Sequence, residues 1–202
     1  GYQMDEWGYK RVQFTAGAQL GKKWSIMTGG YVARQKGSWA SNSDFDKSSI
    51  NVRLDYQFTP KTKLWGSFAY NDYFSQTGGN IDSTGFYSRS YQSPADFTYR
   101  SSFSSRSRLT LEHKWSENAN SSLTAFYRDN ALGQNPSYSI SWSAPSLTAS
   151  GQVNQNSFKS FGLMGQHTQH FEFLNSKFVA GFLLDRSPND YWAYKINLSA
   201  TL

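Results

Sequence analysis

The segment Ile50-Asn51-Val52-Arg53-Leu54-Asp55-Tyr56-Gln57-Phe58 has an apolar residue at every even position and a polar one at every odd position. A period of two sends the two classes to opposite sides of an extended strand. On a helix the same order would spread both classes around the circumference. The segment therefore reads as a strand with one apolar and one polar face. Thr59-Pro60-Lys61-Thr62 follows as a tight turn in which Pro60 fixes the backbone. Leu64, Gly66, Phe68 and Tyr70 then alternate with Trp65, Ser67, Ala69 and Asn71, which completes a hairpin.

The same unit recurs. Val12 to Leu20 alternates, turns at Gly21-Lys22-Lys23 and re-enters a strand from Trp24 to about Arg34. Arg108 to Trp115 turns at Glu117-Asn118-Ala119-Asn120 into Ser121 to Arg128. Ser157 to Phe173 turns at Leu174-Asn175-Ser176 into Lys177 to Asp185. This makes about eight strands, each near the ~10 residues that a tilted strand needs to cross a bilayer. Turns within hairpins are short, whereas the links between hairpins are long and polar: Gln35 to Asp46, Ser75 to about Tyr99, and Asp129 to about Asn156. Alternating short turns and long loops is the rhythm of outer-membrane barrels; a soluble sandwich mixes lengths. Trp24, Tyr56, Phe58, Trp65, Trp115, Phe171 and Phe173 gather beside the short turns, as an interfacial girdle would. Core aromatics of a soluble sheet are the alternative. The expected fold class is all-β, an antiparallel transmembrane β-barrel.

Composition agrees. The chain is 38% apolar with mean hydropathy −0.65, yet 17% aromatic. Disordered chains are polar but poor in aromatics. No window approaches the ~20 apolar residues of a membrane helix; the longest apolar stretch, Phe178 to Leu184, contains Gly181. Gly1-Tyr2-Gln3-Met4-Asp5 has neither a basic nor an apolar leader region, so the expectation is a mature chain or part of a longer one. Cys is absent, which excludes disulfides and Cys-based metal or redox sites. The net charge of +6 is scattered along the strands, which argues against a nucleic-acid partner and suits anionic lipid. The final residues, Ile196 to Leu202, look like a strand in progress, so the wall is expected to continue or to close on itself.

Several longer stretches resemble a known family. Ser48 to Phe74 (SSINVRLDYQFTPKTKLWGSFAYNDYF), Thr98 to Trp115 (TYRSSFSSRSRLTLEHKW), Leu123 to Trp142 (LTAFYRDNALGQNPSYSISW) and Asn154 to Leu198 are similar in strand texture to barrel hairpins of TonB-dependent outer-membrane receptors for iron complexes. The resemblance covers most of the chain and includes no diagnostic motif. It implies a plug domain ahead of a 22-stranded barrel, an N-terminal box that engages the TonB complex, and uptake of a scarce ligand such as an iron chelate. It also implies a closing strand with a terminal aromatic. None of these is seen in the sequence, so residues 1–202 are expected to form a partial barrel from the first part of the wall, in the outer membrane of a Gram-negative bacterium.

Candidate chemistry is sparse. His167 and His170, with Gln166 and Glu172 beside them, are three positions apart and point to opposite faces of a strand, so no metal site is expected. Asp44, Asp46 and Asp82 match no calcium-loop spacing. No Gly-x-Ser-x-Gly elbow occurs and His113 has no evident partner, so neither an enzyme nor a cofactor is expected. The polar parity is more informative: Asn51, Arg53, Asp55, Gln57, Arg108, Glu112, Lys114 and Arg128 would face a lumen or plug, or the solvated side of an ordinary sheet. Ligand contacts would come from the long loops and outer strand ends, through Trp39, Tyr73, Phe74, Phe86, Tyr87 and Tyr91 with Arg89 and Arg100 as cationic groups for an anionic chelate. Two competitors remain open: a small self-contained barrel with a passive-pore or structural role, and a soluble β-barrel that binds an apolar ligand.

Overall fold

A computed structural model describes residues 1–78, 81–92, 97–136, 140–143 and 145–199. One antiparallel sheet holds all eleven of its strands: β1 (Tyr2–Met4), β2 (Tyr9–Leu20), β3 (Trp24–Gln35), β4 (Phe45–Thr59), β5 (Thr62–Gln76), β6 (Tyr99–Ser116), β7 (Ala119–Asn135), β8 (Ser141–Ser143), β9 (Thr148–Phe171), β10 (Ser176–Arg186) and β11 (Asn189–Ser199). Spatial order follows chain order from β1 to β7, then β9 and β10; β8 and β11 also pair with β9. A one-turn helix, α1 (Ser83–Tyr87), interrupts the longest loop. Among the described residues no helix is long and apolar enough to cross a membrane.

The short turns are built by local chemistry. Gly21 supplies a positive φ of 72° between β2 and β3. The Thr59 hydroxyl accepts from the backbone N–H groups of Lys61 (3.2 Å) and Thr62 (3.1 Å), which closes the β4–β5 turn. The Ser116 hydroxyl does the same for Asn118 N–H between β6 and β7 (3.2 Å). That turn is tighter than the four residues expected, because β7 already begins at Ala119.

The strands run further than the sequence suggested at the long-loop end. Asp129 to Asn156 reads as a loop, but β7 continues to Asn135 and β9 starts at Thr148, with Asn130 opposite Phe158 and Gln134 opposite Asn154. Backbone pairing holds a ladder together whatever the side chains are, so strands that leave the apolar layer lose their alternation and keep their hydrogen bonds. The segment Asn189–Ser199 is not a new strand in the wall. It pairs with β9 in the same register as β10, Arg186 opposite Phe161 and Asn189 opposite Phe158, so β10 and β11 form one long strand broken only at Ser187-Pro188.

Register fixes the two faces. On one side lies the row Ile26, Leu54, Gly66, Leu109, Ala125, Leu163 and Leu184, each opposite the next. Trp24 and Tyr56 pack on this side at 4.3 Å between centroids, and Tyr56 on Phe58 at 4.7 Å. Trp65 departs from the expected girdle: it pairs with Asp55 and Thr110, on the opposite, polar face.

The apolar layer crosses the strands obliquely. Its first charged residue on the long-loop side is Lys10 on β2 and Arg34 on β3, level with Asp46 on β4. On β5 it is Asp72, one pair-step lower; on β7 and β9 it is Asp129 and Lys159, two steps lower. On β10 it is Arg186, three steps lower. Six residues at ~3.3 Å each over seven strand spacings of about 4.8 Å correspond to a slope of about 30°. Strands of membrane barrels tilt by ≈ 35–45° to bring a level apolar band across them.

Only small side chains are buried among the described residues, for example Ala33, Ala149, Thr110, Thr124 and Ser160, while Phe182, Leu183 and Leu184 are more than half exposed. A single sheet layer has no interior of its own; each face needs a solvent or a partner that suits it.

Candidate functional site

The eight polar-parity residues expected from the sequence lie on one face. The register aligns Gln57, Lys63 and Glu112; Arg53, Ser67 and Arg108; and Asn51, Ala69, Arg106 and Arg128, with Lys114 two positions beyond Glu112. Asp55 takes both Arg53, through Nε (2.9 Å) and Nη2 (3.0 Å), and Lys63 Nζ (2.7 Å). The Arg53 guanidinium lies 4.5 Å from the centre of the Trp65 ring, whose Nε1 donates to Glu112 Oε1 (2.6 Å). Arg128 reaches across β9, donating to Ser160 Oγ (2.8 Å) and to Asp185 Oδ2 (2.7 Å). Thr110 and Thr124 pair their buried hydroxyls at 2.9 Å. In the turn below, the hydrogen bond from Lys114 Nζ (2.6 Å) holds the Glu117 carboxyl below its usual range. Above this network a recess of about 780 Å³ opens over Gly29, Ser49, Asn51, Ser67 and Ala69.

Trp65, Lys63, Arg106 and Asp185 belong to this face and were not among the sequence candidates. Parity would have found Arg106, two residues from Arg108 on the same strand. Asp185 needed the β9–β10 register.

The loop-end candidates form separate groups. Trp39 meets Tyr91 edge-on at 4.7 Å and Trp7 at 6.5 Å. Around this contact the first and second long loops are tied together: Ser41 N–H donates to Tyr91 O (3.0 Å), and Asn42 Nδ2 to Thr98 Oγ1 (3.1 Å) and Thr77 O (3.3 Å). Phe86 and Tyr87 touch at 5.5 Å on α1, where the Asp82 carboxylate caps Gly85 N–H (2.6 Å), and Arg89 follows with a positive φ of 57°. Tyr73, with Lys47 Nζ 4.8 Å from its ring, and Arg100 lie on the polar parity. Phe74 lies on the other parity and stacks on Tyr99 at 5.6 Å, so it faces away from Tyr73.

His167 and His170 occupy opposite faces of β9, and the His167 ring (Nδ1) lies 2.8 Å from Ser121 Oγ. His113 has a partner after all: its Nδ1 lies 2.9 Å from Thr62 Oγ1, and its ring meets Trp115 at 4.4 Å. No cluster of three or more metal-ligating side chains occurs among the described residues.

No protein-family profile matches the chain, and no curated protein matches it in sequence. Solved structures do match. FpvA from Pseudomonas aeruginosa, bound to an iron–pyoverdine complex, superposes with a TM-score of 0.67 at 17% identity, over 94% of this chain and 27% of its own. The siderophore receptor PiuA from Acinetobacter baumannii gives 0.68 at 13% identity, over 91% and 29%. The ferric-catecholate import receptor Fiu from Escherichia coli gives 0.66 at 9% identity, over 91% and 32%. The chain thus spans about a quarter to a third of the length of each structure it matches, and its fold is that of a stretch of outer-membrane β-barrel wall.

Proposed function

We propose that the chain is part of the barrel of a TonB-dependent outer-membrane receptor whose parent protein imports an iron complex of the siderophore kind, or a similarly large and scarce nutrient. The observation that carries this reading is the superposition of nearly the whole sheet on the barrels of several siderophore receptors. The oblique apolar layer supports it, since tilted strands in lipid need such a layer. The sheet order fits as well: among the described residues β1 and β10 lie at the two ends of the ladder.

In this reading the apolar face meets outer-membrane lipid. The face of Arg53, Asp55 and Arg128 turns to the lumen and the plug. The loop-end aromatics with Arg89 and Arg100 lie where an anionic chelate arrives. Energy reaches the parent through its contact with the TonB complex. The protein is a transporter and not an enzyme.

Growth under iron restriction tests the reading. A strain lacking the parent gene should fail to grow on one or more ferric chelates as sole iron source, and restoring the gene should restore both growth and labelled-iron uptake. Unchanged growth and uptake across hydroxamate, catecholate and mixed chelates would sink the iron reading. A purified parent that conducts ions as a steadily open pore in planar bilayers would favour the passive-pore alternative.

A further inference from the structure

The apolar face carries a polar row near the short turns. Thr62 on β5, His113 on β6, Ser121 on β7 and His167 on β9 lie opposite one another in register, and Ala180 on β10 ends the row. On its long-loop side runs the row Leu64, Leu111, Leu123, Gly165 and Phe182. On its other side stand the exposed rings of Trp115, Phe171 and Phe178. From Thr62 to Asp72, the first charged residue of this face at the far end of β5, the strand climbs about 33 Å. At a tilt of about 40° that is about 25 Å across a membrane, the height of a barrel's apolar band. The row therefore marks the short-turn boundary of the band, and the slope of the layer sets His167 one pair-step further in.

Hydrogen bonding fixes both rings in the same way. The Thr59 hydroxyl accepts from the N–H groups of Lys61 and Thr62 and donates to Thr62 Oγ1 (3.3 Å), which leaves the Thr62 proton for His113 Nδ1 (2.9 Å). Trp115 Nε1 donates to Ser121 Oγ (2.9 Å), which leaves the Ser121 proton for His167 Nδ1 (2.8 Å). A neutral imidazole that accepts at Nδ1 carries its proton on Nε2, and an imidazolium carries one there as well. Nε2 is thus a donor on both rings in either state, and neither Nε2 has a hydrogen-bond partner among the described residues. Both rings are half-buried. An N–H donor at the edge of hydrocarbon needs an acceptor from outside the protein. The charge at this end favours an anionic one. Lys22, Lys23 and Lys61 in the adjoining turns have no carboxylate within 4.0 Å among the described residues. Of the acids here, Glu112 faces the other way and Glu117 is held by Lys114 at 2.6 Å, which leaves Glu172, just past β9.

We infer that this row is a landing site for phospholipid headgroups of the inner leaflet, with the Nε2–H groups of His113 and His167 each donating to a phosphate oxygen. The acyl chains then lie along the row of Leu111 and Leu123, where the face turns apolar. Hydrogen bonds to an ionised acceptor are stronger than those to water. The inference needs the apolar face to lie in lipid, and it is indifferent to which nutrient the parent imports.

Solid-state NMR tests it. The full-length parent, labelled with 15N-histidine, is reconstituted in phosphate-free buffer into vesicles of phosphatidylethanolamine and phosphatidylglycerol. Protonated Nε2 signals should dephase under 31P recoupling, which reports phosphorus in direct contact. His113→Gln and His167→Gln should each remove one dephased signal, and His170→Gln, on the opposite face, should remove neither. Absence of dephasing, or dephased signals that survive both changes, would overturn the inference and fit rings that bond to water. A second sample, in vesicles of a phosphate-free galactolipid, receives inorganic phosphate. Dephasing there would overturn the lipid as the source and show a site for free phosphate. Orientation is read separately, from Leu54→Cys carrying a fluorophore in lipids with nitroxide-labelled chains. Without quenching, the apolar face does not meet lipid and the inference falls with that orientation; quenching without dephasing overturns the headgroup site alone.

Discussion

Asp55 is the anchor of the polar face at the scale of single residues, because it holds Arg53 and Lys63 at once and is shielded by both. Replacing it by Asn keeps the shape and removes the charge, which leaves two cations facing each other across β4 and β5. Asp55→Asn should lower the unfolding free energy of the refolded protein by about 1.5–3 kcal/mol, the range for hydrogen bonds to charged groups. Urea titration in lipid vesicles measures this, and an unchanged midpoint would contradict it. A second constraint is spatial. Gly162 lies under the Phe126 ring, where a Cβ would come within 2.6 Å of Cζ and would also strike the Leu184 carbonyl. On the other face Gly165 lies under Phe182 in the same way. An aromatic ring laid over a strand glycine recovers the packing that the glycine lacks. Gly162→Val should therefore cost about 1–3 kcal/mol through overpacking, with Phe126→Ala in the same chain relieving part of the loss.

Elements were legible where apolar–polar alternation marks them and illegible where it stops. Ile50 to Phe58 announces itself because every second residue is apolar, and the structure places a strand there. Asn130 to Asn135 and Thr148 to Asn156 are also strand, but polar residues occur on both parities and the few apolar ones, Ala131, Leu132, Ala149 and Val153, set up no sustained alternation. The same limit applied to sites: parity groups the eight polar residues, which the register places on one face, while Asp185 became visible only through register, and Tyr73 and Phe74 were grouped although adjacent strand residues face opposite ways. Pro188 gives a test at this scale. Lys159 N–H donates to Pro188 O (3.3 Å), and the return bond cannot form because proline has no N–H. Pro188→Ala should let β10 and β11 join without a break. Hydrogen exchange should then slow at Lys159 and Asn189, and faster or unchanged exchange would show that the break is set by something other than the missing donor.

The whole molecule is a single layer with two incompatible faces, and this makes the face assignment directly testable. Leu54→Arg, in the middle of the apolar row, should cost about 2–4 kcal/mol of folding free energy in lipid vesicles. Asn51→Arg on the polar face should cost far less, and equal losses at the two positions would refute the membrane orientation. The slant of the apolar layer reaches further. From β4 to β10 the apolar layer steps down in one sense, so the wall climbs like a spiral ramp and does not stand like a fence. When a ramp is closed into a tube, the accumulated rise has to match the rise fixed by its strand count and tilt. Removing one hairpin therefore shortens the circumference and also leaves the two closing edges at different heights. Changes of barrel size in proteins of this architecture have to alter width and axial offset together.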